Sequence, residues 1–130
     1  MKAFVIATRW LIRVLAVVQV VLGVLFWTNN ALTLISLHMT SGIVLVVALW
    51  IQAIIAARAG IGYAIPVLAF VWGGVVIALG MRQDSLLVGD LHWLIQVLHL
   101  IVGLTAVAQA EALAGRTLRR LRPVAAAAAY

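Results

Sequence analysis

Long apolar stretches alternate with short polar segments along this chain, and they predict four helices. The apolar stretches cover about residues 10–27, 31–57, 63–80 and 88–113. Each provides close to the roughly 20 residues that a helix needs to cross the hydrocarbon core of a bilayer. The segments between them are polar or rich in turn-forming residues and lie at 29–30, 58–62 and 81–85. We therefore expect an all-α chain folded as a four-transmembrane-helix bundle.

The composition agrees with a membrane-embedded chain. The 130 residues are 67% hydrophobic and 9% charged, whereas about half of a soluble domain is apolar. We expect one transmembrane domain over residues 1–122 and leave the alanine-rich tail 123–130 unassigned. The chain contains no cysteine, which excludes disulfides, iron–sulfur clusters, thiolate-bound zinc and the C-x-x-C-H attachment of c-type haem.

The net charge of +6 is best explained by topology, because the basic residues flank the apolar stretches. Of the nine basic residues, all but Arg82 lie on the side of the N-terminus, the 58–62 loop and the C-terminal tail. By the positive-inside rule, both termini are expected to be cytoplasmic, in a bacterial-type inner or plasma membrane. Contact with anionic lipid is expected there, and nucleic acid is not. No small-x-small cleavage pattern follows the first stretch near Trp27, so we expect a retained helix.

Two histidines interrupt the apolar stretches. His38 and His99 are each the second residue of a Leu-His-x-x-x-Gly run, at 37–42 and 98–103. A titratable ring at membrane depth is costly, and by default it marks a functional site that faces the bundle interior. The two rings lie at matching depth on different helices, so we predict that they share one partner. The leading candidate is one haem b, with both histidines as ligands of its iron.

The glycines of these runs are also predicted to contact the cofactor. Gly42 and Gly103 follow their histidines at i+4, on the same helix face and one turn deeper. A bare backbone at that position leaves room for a porphyrin plane. Close helix–helix packing through small residues explains the two glycines equally well.

His92 and Arg82 complete the predicted site. His92 and His99 stand roughly 10 Å apart along a helix, too far to share one ion at about 2 Å per ligand. His92 has four readings: a haem-propionate contact, a quinol contact, an alternative axial ligand, or an interfacial polar residue beside Trp93. Arg82 offers a planar guanidinium that matches a propionate, and the alternative is a solvated charge paired with Asp84.

The remaining buried polar residues carry weaker expectations. Gln96 lies between His92 and His99 on the same face and is placed to hydrogen-bond either ring. Glu111 is expected to reach water or to pair with Arg116 or Arg58. The other glutamines are expected to cross-link helices, and they are Gln19, Gln52 and Gln109.

An internal repeat is suggested when the two histidine runs are aligned. Leu37 then matches Leu98, and Gly42 matches Gly103. Two tandem helical hairpins would be related by a pseudo-two-fold axis along the membrane normal, with the two histidines symmetric about it. Such matches also arise by chance in apolar sequence of low complexity, so both explanations stay open.

Four short spans with paired intramembrane histidines and the H-x-x-x-G pattern resemble the small four-helix b-type cytochromes and haem-bearing membrane anchor subunits of respiratory enzymes. In motif, the resemblance covers His38, Gly42, His99 and Gly103. It implies haem b bound through histidines on different helices, and electron exchange with quinones. The chain has no second pair of histidines, so it departs from the di-haem members.

Three functions are consistent with these features of the sequence. The first is a mono-haem b-type cytochrome that carries electrons between a quinone and a partner at the outer side, alone, as a homo-oligomer or inside a larger redox complex. The second is a non-catalytic accessory or scaffold subunit, and the third is a small transporter or proton pathway. Ligation of another pigment by single histidines also stays open. No hydrolase, transferase or nucleic-acid pattern is present.

Overall fold

The computed structural model describes residues 1–122, and the unassigned tail at 123–130 lies outside the described residues. Its four α-helices are α1 (Lys2–Trp27), α2 (Ile35–Arg58), α3 (Ala64–Arg82) and α4 (His92–Arg120). Single 3-10 turns at Leu32–Leu34 and Gln83–Ser85 precede α2 and follow α3. All four helices are long and apolar enough to cross a membrane, which confirms the predicted all-α class and the spans. These are the properties of an integral membrane protein.

The helix bounds differ from the predicted ones mainly at α1 and α4. α1 begins eight residues earlier than expected and carries Arg9 and Arg13 inside it. α4 begins at His92 and continues to Arg120, beyond the predicted 88–113. Arginines are tolerated inside both helices, because their long side chains reach partners or water while the backbone stays hydrogen-bonded.

An ion-pair cluster joins α1 to α4 and replaces the expected partners of Glu111. Arg13 donates from Nε to Oε1 at 2.7 Å and from a terminal nitrogen to Oε2 at 2.8 Å. Arg9 donates twice to Oε2, at 2.9 and 2.6 Å. The expectation of Arg116 or Arg58 was wrong, because Glu111 turns toward α1 and both of its oxygens are occupied there.

α2 and α4 form the centre of the bundle. They pack against each other, and each also packs against both α1 and α3. Within residues 1–122, α1 and α3 do not touch each other. The core between the helices is built from apolar and small residues, among them Ile12, Leu49, Ala56, Ala106 and Leu113. His38 on α2 and His99 on α4 are thus carried by the two helices that meet across the bundle.

The short connections divide the bundle into two ends. We call the end formed by the connections 28–34 and 83–91 the histidine end, because His38, His92 and His99 lie toward it. The other end, formed by the start of α1, the connection 59–63 and the last turns of α4 through residue 122, is called the arginine end. Polar side chains tie the helices together between these ends.

Side-chain hydrogen bonds fix the rotation of neighbouring helices. Gln52, fully buried on α2, donates to Thr8 Oγ1 at 2.9 Å and to the carbonyl of Val5 at 3.2 Å on α1. Trp50 Nε1 donates to the Phe70 carbonyl at 3.0 Å, and its ring stacks on Phe70 at 4.9 Å. Inside hydrocarbon, such bonds join helices that apolar packing alone leaves free to rotate.

The contact of α2 with α3 supplies a matched pair of test positions. A Cβ added to Gly73 would meet Trp50 Nε1 at 2.5 Å and Val46 Cγ1 at 2.9 Å, whereas one added to Gly74 would meet no neighbouring atom of the described residues within 4 Å. We expect Gly73→Ala to lower the free energy of unfolding by roughly 1–3 kcal/mol, as overpacking does. Gly74→Ala is expected to leave it unchanged or raise it by up to about 1 kcal/mol.

Thermal unfolding in detergent, followed by circular dichroism, measures both variants against the unsubstituted chain. Equal effects at the two glycines would contradict the described contact between α2 and α3.

Candidate cofactor site

His38 is held in place through its backbone. It lies in the first turn of α2, and its carbonyl accepts hydrogen bonds from Gln19 Nε2 of α1 at 2.8 Å and from Ser41 Oγ at 3.2 Å. Gln19 also donates to Ser41 Oγ at 2.7 Å. The expected cross-linking role of Gln19 is therefore confirmed, and it fixes the turn that carries His38.

The rings of His38 and His99 face each other across the bundle. Their centroids are 6.2 Å apart and their planes are inclined by 50°. The ring of Phe26 lies edge-on to His38 at 5.4 Å. The Nδ1 atom of each histidine is buried and has no hydrogen-bond partner in the described part of the chain. Each ring therefore keeps a buried polar atom that is free to bind a ligand, although leaving it unpaired is costly.

A cavity of about 370 Å³ surrounds these two rings. All four helices contribute to its wall, which is mostly apolar and includes Gly23, Gly42, Gly80 and Gly103. The volume falls within the roughly 300–1,000 Å³ typical of pockets for small molecules and cofactors. The sequence-predicted residues His38, His99, His92, Gly42 and Gly103 thus line one cavity.

The glycines differ in how much room they leave. A Cβ built on Gly103 would meet no neighbouring atom of residues 1–122 within 4 Å, so this wall is open. One built on Gly42 would touch the Gln19 amide at 3.4 Å. Gly80 on α3, which sequence reasoning missed, would bring a Cβ to 3.2 Å from His99 Cε1. It has no histidine at i−4, so the motif gave no signal for it.

His92 lines the cavity at the histidine end and also closes a loop. Its Nδ1 lies 3.1 Å from the carbonyl of Leu86, and since a carbonyl only accepts, the ring nitrogen donates. In the neutral ring, Nε2 is then an acceptor. The segment that this bond closes is strained at Leu87, whose φ is +46°.

Arg82 and Gln96 are placed differently from expectation. Arg82 is exposed at the end of α3 and is not part of the cavity wall, although its neighbours Met81, Gln83 and Asp84 are. Gln96 lines the cavity, but its side chain makes no hydrogen bond to either ring in the described structure. The structure therefore separates Arg82 from the other predicted site residues.

The donor set suits a cofactor that brings ligands of its own. Among residues 1–122, no group of three or more histidine, cysteine, aspartate or glutamate side chains is placed to hold a metal ion. Two imidazoles are too few for a closed zinc site. They are sufficient for haem iron, because the porphyrin supplies the remaining ligands and the protein supplies the axial ones.

The hydrogen bonds from Gln19 to α2 can be tested by substitution. We expect Gln19→Leu to lower the stability of the bundle by about 1 kcal/mol, because it removes two interhelical hydrogen bonds. Gln109→Leu is the matched control, since the buried Oε1 of Gln109 has no partner in residues 1–122. Thermal unfolding in detergent should separate the variants, and a larger loss for Gln109→Leu would contradict the described bonding.

Comparison with known proteins does not add to this geometry: the sequence matches no protein-family model, no curated protein and no solved structure.

Proposed function

We propose that this chain is a membrane-embedded mono-haem b-type cytochrome in which His38 and His99 are the axial ligands. The observation that carries the proposal is that two imidazoles from different helices line one mostly apolar cavity, with their ring centroids 6.2 Å apart. With iron–nitrogen bonds of about 2 Å, as for other imidazole-bound metals, two rings on opposite sides of one iron have centroids roughly 6 Å apart. Packed aromatic rings also lie about 4.5–7 Å apart, so the spacing supports the proposal in combination with the shared cavity and the unpaired ring nitrogens.

The surroundings of the rings support the same assignment. The cavity wall is mostly apolar, which suits a porphyrin face, and Gly103 leaves bare backbone one turn from His99. The two buried Nδ1 atoms have no partner in residues 1–122, so ligation through Nδ1, or a hydrogen bond to it from a bound group, would relieve an unpaired polar group. Haem, when bound, supplies one-electron oxidation and reduction.

The chain's own residues have distinct tasks in this proposal. His38 and His99 would hold the haem, and Gln19 fixes the turn that carries His38. Phe26 packs against the His38 ring and restricts its rotation. The mostly apolar wall lowers the local dielectric, which tunes the redox potential of a haem site.

His92 is better suited to a quinol than to a haem propionate. Its Nδ1 donates to Leu86, so the neutral ring offers only an acceptor at Nε2. An acceptor nitrogen can bind the hydroxyl group of a quinol and take its proton. It cannot hydrogen-bond to an ionised propionate, because a carboxylate also has only acceptor atoms. We therefore assign His92 to the quinone side of the reaction. Arg82 remains the nearest guanidinium to the rim, and a propionate contact would require its side chain to turn inward.

The position of the site indicates where electrons enter and leave. Both rings lie toward the histidine end, and the chain holds only three histidines in total, too few for a second bis-histidine haem. One haem at this depth suits exchange between a quinone and a partner at the same surface, in a homo-oligomer or a larger redox complex. Electron transfer across the whole membrane would need a second centre.

We also propose that the arginine end, with both termini, faces the cytoplasm. Eight of the nine basic residues belong to that end, and Arg82 with Asp84 and Asp90 belongs to the other. The central places of α2 and α4 are compatible with two tandem hairpins about a pseudo-two-fold axis. His38 and His99 would then be equivalent ligands from equivalent helices.

Substitution of the histidines tests the ligand assignment. Purified protein supplied with haem is expected to show the low-spin absorption spectrum of bis-histidine haem b. His38→Ala and His99→Ala should each abolish it, while His92→Ala should largely preserve it. Imidazole added to His99→Gly should restore part of the spectrum and show that the variant still folds.

An equal loss of the spectrum in all three alanine variants would overturn the assignment. Colourless wild-type protein that purifies together with a larger complex would instead favour an accessory subunit.

Labelling of single cysteines tests the orientation, since the chain has none of its own. Val88 at the histidine end and Tyr63 at the arginine end are matched sites, 78% and 77% exposed. In intact cells, a membrane-impermeant maleimide is expected to label Val88→Cys and to spare Tyr63→Cys until the membrane is permeabilised. The reverse pattern would place the termini outside.

A further inference from the structure

A second recess lies at the arginine end, far from the two facing histidines. It is shallow and almost fully open to solvent, has a volume of about 500 Å³, and is lined by Gly60, Ile61, Arg116, Arg119 and Arg120. The first two residues belong to the connection between α2 and α3, and the three arginines belong to the last turns of α4. The cytochrome function proposed above does not use this recess.

The three arginines share one face of α4, because they are spaced at i, i+3 and i+4. They are exposed, and the ion pairs of residues 1–122 are those of Glu111 with Arg9 and Arg13. Both oxygens of that carboxylate are already occupied. The other side-chain carboxylates, Asp84 and Asp90, belong to the histidine end.

Three like charges on one helix face repel one another, and the negative end of the helix dipole offsets this only in part. An anion between the guanidinium groups would remove the repulsion. The planar fork of a guanidinium matches the oxygens of a phosphate group in a bidentate manner. A ligand with several acceptor oxygens would therefore complement the three guanidinium groups.

Gly60 and Ile61 form one side of the recess, and the arginines supply its positive charge. The amides of Gly60 and Ile61 already donate to the carbonyls of Ala57 and Ala56, at 3.1 Å each. Gly60 adopts a φ of +79°, and no neighbouring atom of residues 1–122 lies within 4 Å of a Cβ built there. α3 begins soon afterwards, at Ala64, with no side-chain cap on its first amides, which adds positive potential nearby.

We propose that Arg116, Arg119 and Arg120, with the Gly60–Ile61 wall, form a binding site for a phosphate group. The recess lies where transmembrane helices reach the aqueous boundary, and basic pockets between helices at that level bind the head groups of anionic lipids. A free phosphate offers the same chemistry, so the test has one arm for each source.

Two triple variants with the same change in charge provide the test. The recess variant carries Arg116→Gln, Arg119→Gln and Arg120→Gln. The control variant carries Lys2→Gln, Arg58→Gln and Arg122→Gln, which remove three exposed charges from the same end outside the recess. Circular dichroism and thermal unfolding establish that both fold.

In the first arm, native mass spectrometry follows the binding of phosphatidylglycerol and of phosphatidylcholine to the full chain in detergent. The second arm follows the rise in melting temperature as inorganic phosphate is added to lipid-free protein. Each arginine is expected to contribute about fivefold to the affinity for an anionic head group. If the three contributions add, the recess variant should bind phosphatidylglycerol roughly a hundredfold more weakly than the unsubstituted chain. The affinity of the control variant should change little.

A recess-dependent effect of inorganic phosphate, with none for the lipid, would support the site and identify a soluble ligand. Equal losses in the two triple variants would show diffuse attraction to the basic end and overturn the proposal. The proposal would also be overturned if the recess variant bound the lipid and inorganic phosphate as strongly as the unsubstituted chain does. If the recess variant does not fold, Arg119→Gln against Arg122→Gln gives the same comparison with an expected fivefold difference.

Discussion

A polar side chain inside a bilayer must find its partner within the protein, and the arrangement of this bundle depends on that constraint. Gln52 joins α2 to α1, Trp50 joins α2 to α3, and Glu111 draws two arginines of α1 onto α4. Each contact fixes how a nearly uniform apolar helix is rotated about its axis. Since lipid is as apolar as the core, burial of apolar surface supplies little such information.

The two facing histidines stand out against this constraint. Five buried side-chain atoms lack a hydrogen-bond partner in residues 1–122, and of these only His38 Nδ1 and His99 Nδ1 belong to residues that line the cavity. Two unpaired ring nitrogens around one cavity are costly for a scaffold and useful for a cofactor protein. Their shared place at one cavity favours a cofactor site over a packing role.

The sequence was sufficient for the four spans and for the pairing of His38 with His99, because both follow from length, apolarity and the depth of a polar residue. Helix rotation was not predictable. α2 and α3 are apolar over most of their surface, so no periodic pattern indicated that Gly80 would lie against His99 or that Trp72 would donate to the Val102 carbonyl. The partners of Glu111 were missed because Arg9 was predicted to precede α1, and because the apolar sequence did not show that Arg9 and Arg13 face α4.

The central claim is that one haem is held between His38 and His99. Its most direct test is the dithionite-reduced minus oxidised absorption spectrum of the purified chain as haem is added. The account predicts sharp low-spin b-type bands that saturate at one haem per chain. A featureless spectrum from folded protein supplied with haem would contradict it.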